Sequence, residues 1–168
     1  ARYDVFLQQL EEGDLLLLAH HQDDQAETLL LRLMRGCGVQ GAAAIPEQRP
    51  LGRGWLARPL LDSSRGQITH YAQQQQLSWI EDPSNSDHRF DRNYIRHQLM
   101  PQLQQRRPGV AAVLARSTHH FGEAAQLLAQ LASEDLQRLS SDGATLDCTL
   151  LAAMDEARSR NLLRYWMA

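Results

Sequence analysis

The chain contains no lysine, so all 17 of its basic residues are arginines, set against 20 acids for a net charge of −3. That balance argues against a uniformly basic nucleic-acid binder. Only two cysteines occur, Cys37 and Cys148, far apart and without a CxxC pattern. Neither a disulfide framework nor a zinc knuckle is signalled, and buried, inert thiols are expected. No apolar run nears the roughly 20 residues needed to cross a bilayer. The opening ARYDVFLQQLEEGD has neither a basic n-region nor a long apolar h-region. With 168 residues and 43% apolar content, the chain can bury one core, or one domain plus part of another. The expectation is a soluble, cytoplasmic protein with no membrane partner.

What the sequence does hold is titratable chemistry at one junction. In LLLLAHHQDDQAETLLLRLM, residues 15–34, two histidines and three carboxylates lie between an apolar run and a leucine-striped one. Leu15 to Ala19 is short, bounded and apolar, as in a strand buried on both faces of a parallel sheet. Ala26, Leu29, Leu30, Leu33 and Met34 follow at helical spacing. Asp24 and Glu27 stand three apart, the spacing of a capping box with Asp as the cap. Capping leaves His20, His21 and Asp23 unexplained, and five polar groups exceed what one helix start requires. Carboxylates at a helix N-terminus stay ionised, ready for Mg²⁺ or an ammonium group.

Other elements repeat the alternation. Residues 3–11 read as a helix ending at the Glu12-Gly13-Asp14 turn, Trp55 to Leu61 as a strand, and Asp62-Ser63-Ser64 as a helix start. Ile68, Tyr71 and Ala72 form that helix's apolar stripe, and Leu77 to Ile80 reads as a further strand. This order predicts an α/β fold with a mostly parallel sheet. The loops at His20–Asp24, Leu61–Ser64 and Glu81–Asn85 should then converge at its carboxyl edge. From Val110 the sequence reads as a long helix, followed by a turn at residues 140–143, an extended piece from Thr145 to Leu150, and a helix from Ala152 to Met167. The domain boundary is expected near residues 101–109.

Two further motifs need weighing. Residues 36–41, Gly-Cys-Gly-Val-Gln-Gly, follow a predicted helix instead of a strand, so they read as a helix stop and loop and not as a dinucleotide fingerprint. Residues 89–116 hold Arg89, Arg92, Arg96, Arg106, Arg107 and Arg116 against one acid, Asp91. Arg89, Arg92 and Arg96 fall on one helical face, a fork for phosphate that Asn93 and Asp91 could orient, or a surface face paired with Asp87 and Asp91. HHxDD also suits a metal-dependent phosphohydrolase, which would draw ligands from other loops; His70, His88 and His97 have no clear partner for that role.

Taken together, LLLLAHHQDDQAETLLLRLMRGCGVQG, RPLLDSSRGQITHYAQQQQLSWIEDPSNSD and RNYIRHQLMPQL resemble the tRNA(Ile)-lysidine synthetase family of PP-loop ATP pyrophosphatases. The resemblance runs over nearly the whole chain and is most specific through residue 101. It implies an adenine nucleotide alpha hydrolase-like α/β fold with a partial parallel sheet and flanking helices over residues 1–104. A mostly helical, tRNA-binding segment over 105–168 would follow. It further implies an ATP-dependent ligase that adenylates C2 of the wobble cytidine in the CAU anticodon of tRNA(Ile), then lets free L-lysine displace AMP. By this resemblance Asp24, His20 and Arg92 are catalytic, and Asp24 and Glu27 bind the lysine ammonium. Mg²⁺ at Asp24 and a homodimer are compatible with it, and Arg89, Arg92, Arg96, Arg106 and Arg107 face phosphate. The alternative within the superfamily is a tRNA thiolase, favoured by cysteine pairs. The family's SGGxDS ATP loop is not found in these residues, nor is its C-terminal tRNA-binding region. The expectation is therefore an internal piece of a larger enzyme, inactive alone, with the phosphate-binding half upstream.

Overall fold

The computed structural model describes residues 2–80 and 91–167. They fall into two compact units, residues 1–121 and 122–168.

In the first unit α1 (Arg2–Gln9) leads through a turn to β1 (Leu15–Leu17), then α2 (Gln22–Met34), α3 (Val39–Ala42), β2 (Gln48–Leu51), β3 (Gly54–Ala57) and α4 (Arg65–Gln74). After the undescribed residues come α5 (Asp91–Tyr94), a π-helical turn (Ile95–Leu99) and α6 (Met100–Arg106). Helix α7 (Val110–Leu139) carries residues of both units. The sheet order is β1-β3-β2, with β1 parallel to β3 and β2 antiparallel to it. The hairpin between β2 and β3 turns at Gly52, whose φ of 59° suits the first central position of a two-residue turn. Gly54 opens β3 so close to Asp14 that a Cβ would stand 2.6 Å from the Asp14 carbonyl oxygen.

The π-helical turn has a cause in the sequence. Pro101 has no N–H and its ring would clash with the carbonyl of His97, so the preceding turn widens instead of breaking. Behind it lies the core: Ala26 of α2 packs with Ile95, Met100 and Ala111, and Leu29 packs with Ala42 and Ala44. Helix α2 is therefore held on two sides, and the first two turns, which carry Asp24 and Glu27, are held with it.

Several expectations change here. The sheet contains one parallel and one antiparallel pair, because the Gly52 hairpin returns the chain beside β3. Strand β1 is not buried on both faces: Leu15 and Leu17 are 55% and 59% exposed, as described residues pair with it only through β3. Leu77 to Ile80 forms no strand; apolar propensity needs a ladder partner, and Ile80 is 97% exposed. Helix α4 buries none of its residues, and Tyr71 is exposed. Ser64 does cap α4, accepting from the Gln67 amide at 3.2 Å. Cys37 is half-buried and Cys148 exposed, so the thiols are not both core residues.

In the second unit, Ala132, Asp135 and Leu162 are buried. Arg158 grips Asp135 with two 2.7 Å bonds, Nε to Oδ2 and Nη2 to Oδ1, which keeps the buried carboxylate paired. Residues expected to extend from Thr145 instead start α8 (Cys148–Ala152), because Asp147 accepts from the Thr149 and Leu150 amides. Asp155 caps α9 (Glu156–Trp166) in the same way and breaks the single helix expected there. In the preceding turn Asp142 accepts from the Thr145 and Ala144 amides at 2.9 Å each, which holds its carboxyl at about 2. No described helix is long and apolar enough to cross a membrane.

Candidate functional site

The loops that leave β1 and β3 meet at the carboxyl edge of the parallel pair. The last sheet bond runs from the Leu18 amide to the Ala57 carbonyl at 2.9 Å. Beyond it the Gln22 amide donates to the Ser63 carbonyl at 2.9 Å, and the Arg65 amide at the start of α4 donates to Asp23 Oδ2 at 2.8 Å. A carboxylate thus meets a helix N-terminus, where the dipole favours it. Loops His20–Asp24 and Leu61–Ser64 converge as expected for an open α/β sheet. The third loop, Glu81–Asn85, lies outside the described residues.

The capping assignment shifts by one turn. His21 is the N-cap, its carbonyl accepting from the Gln25 amide, and Asp24 sits at N3, taking the His21 amide on Oδ2 at 3.0 Å. The tie from Gln22 to Ser63 starts the helix before Asp24, so Asp24 and Glu27 are not partners in a capping box. Both point into the protein, 7% and 2% exposed.

What they meet there is arginine. Arg92 donates from Nη2 to Asp24 Oδ1 at 2.8 Å and from Nε to Glu27 Oε2 at 3.0 Å. Arg96 donates from Nε to Glu27 Oε1 at 2.7 Å, and from Nη2 to Glu27 Oε2 at 2.8 Å and Asp24 Oδ1 at 3.1 Å. Among the described residues, two anions and two cations form one cluster. The bond to Glu27 is the leading reason the Arg96 guanidinium is held above its ordinary range. Arg92 and Arg96 therefore do not form an outward fork; the buried carboxylates turn them inward. Asp91 pairs with Arg35 at 3.1 Å. Arg106 and Arg107 are exposed at the end of α6, apart from this cluster, and Arg89 is outside the described residues.

The two histidines differ. The His21 ring lies against its own helix, Nε2 3.5 Å from Asp24 Oδ2 and Nδ1 3.7 Å from Asp23 Oδ2. His20 lines a cavity of about 230 Å³ with Tyr3, Phe6, Leu18 and Ala19. Its Nδ1 accepts from Arg58 Nε at 3.2 Å. Burial, then the Arg58 charge, hold the imidazole below its ordinary 6.5. Sequence reasoning missed Arg58 as part of the site. It stands within the quoted RPLL run, but only the 5% exposure of the folded residue marks it as a buried cation. It also missed Gln25, which clamps the backbone of Ile45 through a 2.7 Å bond to its carbonyl and a 2.9 Å bond from its amide.

A family model for the PP-loop domain matches residues 1–103. The chain belongs to the PP-loop family. Among curated relatives of this PP-loop chain, the tRNA(Ile)-lysidine synthase of Pseudomonas putida is 52% identical over 176 aligned positions, which cover 100% of the chain and 41% of that protein. The tRNA(Ile)-lysidine synthase of Coxiella burnetii is 48% identical over 167 positions, covering 99% and 37%. That of Legionella pneumophila is 45% identical, covering 99% and 39%. The chain spans about two fifths of the length of these relatives.

Proposed function

We propose that the chain supplies the lysine-binding half of the active site of a tRNA(Ile)-lysidine synthase. In that reaction ATP converts C2 of the wobble cytidine in a CAU anticodon into an adenylate. The amine of free L-lysine then forms the C2–N bond as the C2–O bond to AMP breaks. The Asp24–Glu27–Arg92–Arg96 cluster carries this reading, supported by the similarity to the synthases over the whole chain. Two buried carboxylates demand cations, and an ammonium group can take the place of a guanidinium there. Arg92, with 38% of its side chain exposed against 20% for Arg96, is the one that yields.

The geometry supports an assignment of roles. Glu27 and Asp24 hold the lysine ammonium, and Asp24 takes its proton so that a neutral amine attacks. Arg92, released, offsets charge on the adenylate and the departing AMP. Arg96 remains as counter-ion to Glu27. Mg²⁺ is not assigned to Asp24: once the lysine ammonium replaces Arg92, Oδ1 still accepts from Arg96 and Oδ2 from the His21 amide, a setting built for N–H donors and not for a bare divalent ion. Residues 1–104 serve as the catalytic part and 105–168 as the helical part that meets tRNA. Arg89, Arg106 and Arg107 are assigned to its phosphates. A tRNA substrate puts this work in the cytoplasm, and none of these roles needs a second copy of the chain.

The test is the lysine dependence of Glu27→Asp in the full-length protein, which keeps the charge and withdraws it by one methylene. The expected result is a KM for lysine raised about tenfold, or about 1.4 kcal/mol of lost binding, with tRNA-dependent pyrophosphate release retained. An unchanged KM for lysine contradicts the assignment.

A further inference from the structure

Arg58 is a buried cation whose bonds run to groups other than carboxylates. Its Nη1 donates to the Pro46 carbonyl at 2.6 Å, its Nε to His20 Nδ1 at 3.2 Å, and its amide donates to the Glu47 carbonyl at 2.9 Å. Desolvation pulls its guanidinium below the ordinary arginine range, an effect the Tyr3 phenol partly offsets. Burying a charge in this way is costly, and packing alone would be served by a methionine. The arrangement becomes intelligible through what arginine can do to an imidazole. A guanidinium only donates, so the ring nitrogen it meets must be the acceptor. Nδ1 of His20 is then the unprotonated nitrogen and Nε2 carries the hydrogen. A second proton on Nδ1 would confront the Arg58 N–H directly.

We propose that Arg58 is a positioning residue that locks His20 in its neutral Nε2–H tautomer, so that His20 donates a hydrogen bond to anionic groups of the substrates and does not accept their protons. The proposal rests on the lysidine synthase reading. It divides the labour of that site: proton removal belongs to Asp24, while His20 steadies charge on the carbonyl oxygen or phosphate. The Pro46 carbonyl holds the guanidinium and the Glu47 carbonyl holds the Arg58 backbone just past β3, which keeps the imidazole at one orientation against the 230 Å³ cavity.

The test is the ring ¹⁵N spectrum of His20 in full-length protein labelled at histidine, assigned by the signal that His20→Gln removes. The expected result is a protonated Nε2 and an unprotonated Nδ1, with titration below the ordinary 6.5. Asp24 opposes that lowering, while Arg58, Arg92 and His21 reinforce it. Arg58→Met keeps the bulk and removes the donor; it should raise the His20 titration, mix the tautomers and lower kcat on the order of tenfold, with the KM for ATP little changed. A proton on Nδ1 in the unmodified protein, ordinary titration near 6.5, or an unmoved spectrum in Arg58→Met overturns the proposal. If Arg58→Met does not fold, the spectrum of the unmodified protein decides. That spectrum does not depend on turnover. Lysine incorporation with the wrong tautomer defeats this proposal alone; the right tautomer without incorporation defeats the lysidine synthase reading and leaves the role of Arg58 standing.

Discussion

Arg96 holds Glu27 by both arms of its fork, Nε to Oε1 at 2.7 Å and Nη2 to Oε2 at 2.8 Å, across 69 residues of sequence. The pair ties α2 to the π-helical turn, and the Glu27 side chain is only 3% exposed. Removing one partner strands a buried charge. Arg96→Met should therefore lower unfolding free energy by about 3 kcal/mol in chemical denaturation. A loss below about 1 kcal/mol would show that Arg92 alone satisfies the carboxylate.

Gly54→Ala sets a methyl carbon where the Asp14 carbonyl oxygen stands 2.6 Å away. That oxygen belongs to backbone and cannot swing aside as a side chain would, and the Trp55 amide is bonded to it at 2.8 Å. The strand must shift, at about 1–3 kcal/mol. A lowered thermal midpoint checks this.

Gln25→Leu keeps the volume but leaves the Ile45 amide and carbonyl without their side-chain partner. The expected cost is about 1–3 kcal/mol. Because the Pro46 carbonyl that anchors Arg58 is next in the chain, hydrogen exchange should quicken across residues 43–47.

His20 makes stability depend on pH. Its folded value is depressed below the 6.5 of the unfolded ring, first by burial and then by Arg58. Between those two values the unfolded chain binds more protons, so stability rises with pH there. The contribution is complete above 6.5 and is lost as pH falls through the lower folded value. His20→Gln should flatten the acid side of the stability curve from 6.5 downward; an unchanged slope there contradicts the depression.

Much of the fold is legible in the residues. The run Leu15–Leu17, the leucine stripe of α2, the Ser64 start of α4 and the length of α7 follow from period and capping, which act over a few residues. Partners across the chain do not. Whether Leu15 and Leu17 are covered, whether Leu77 to Ile80 finds a ladder, and where α2 starts depend on contacts such as Gln22 to Ser63. The site divides in the same way. The spacing of Asp24, Glu27, Arg92 and Arg96 could be read, but their closure into one cluster could not. An arginine face looks the same in sequence whether it turns to solvent or to buried acids.

The most direct measurement is ATP-dependent transfer of labelled lysine to tRNA(Ile) with a CAU anticodon, using full-length protein and its Asp24→Asn variant side by side. Asparagine can still accept from Arg92 and Arg96 but cannot take a proton from the ammonium. The predicted result is incorporation by the unmodified protein and a loss of about 100-fold or more in Asp24→Asn, with the circular dichroism spectrum retained. Incorporation by Asp24→Asn within about twofold of the unmodified protein, or none by the unmodified protein, contradicts the placement of lysine chemistry at this cluster.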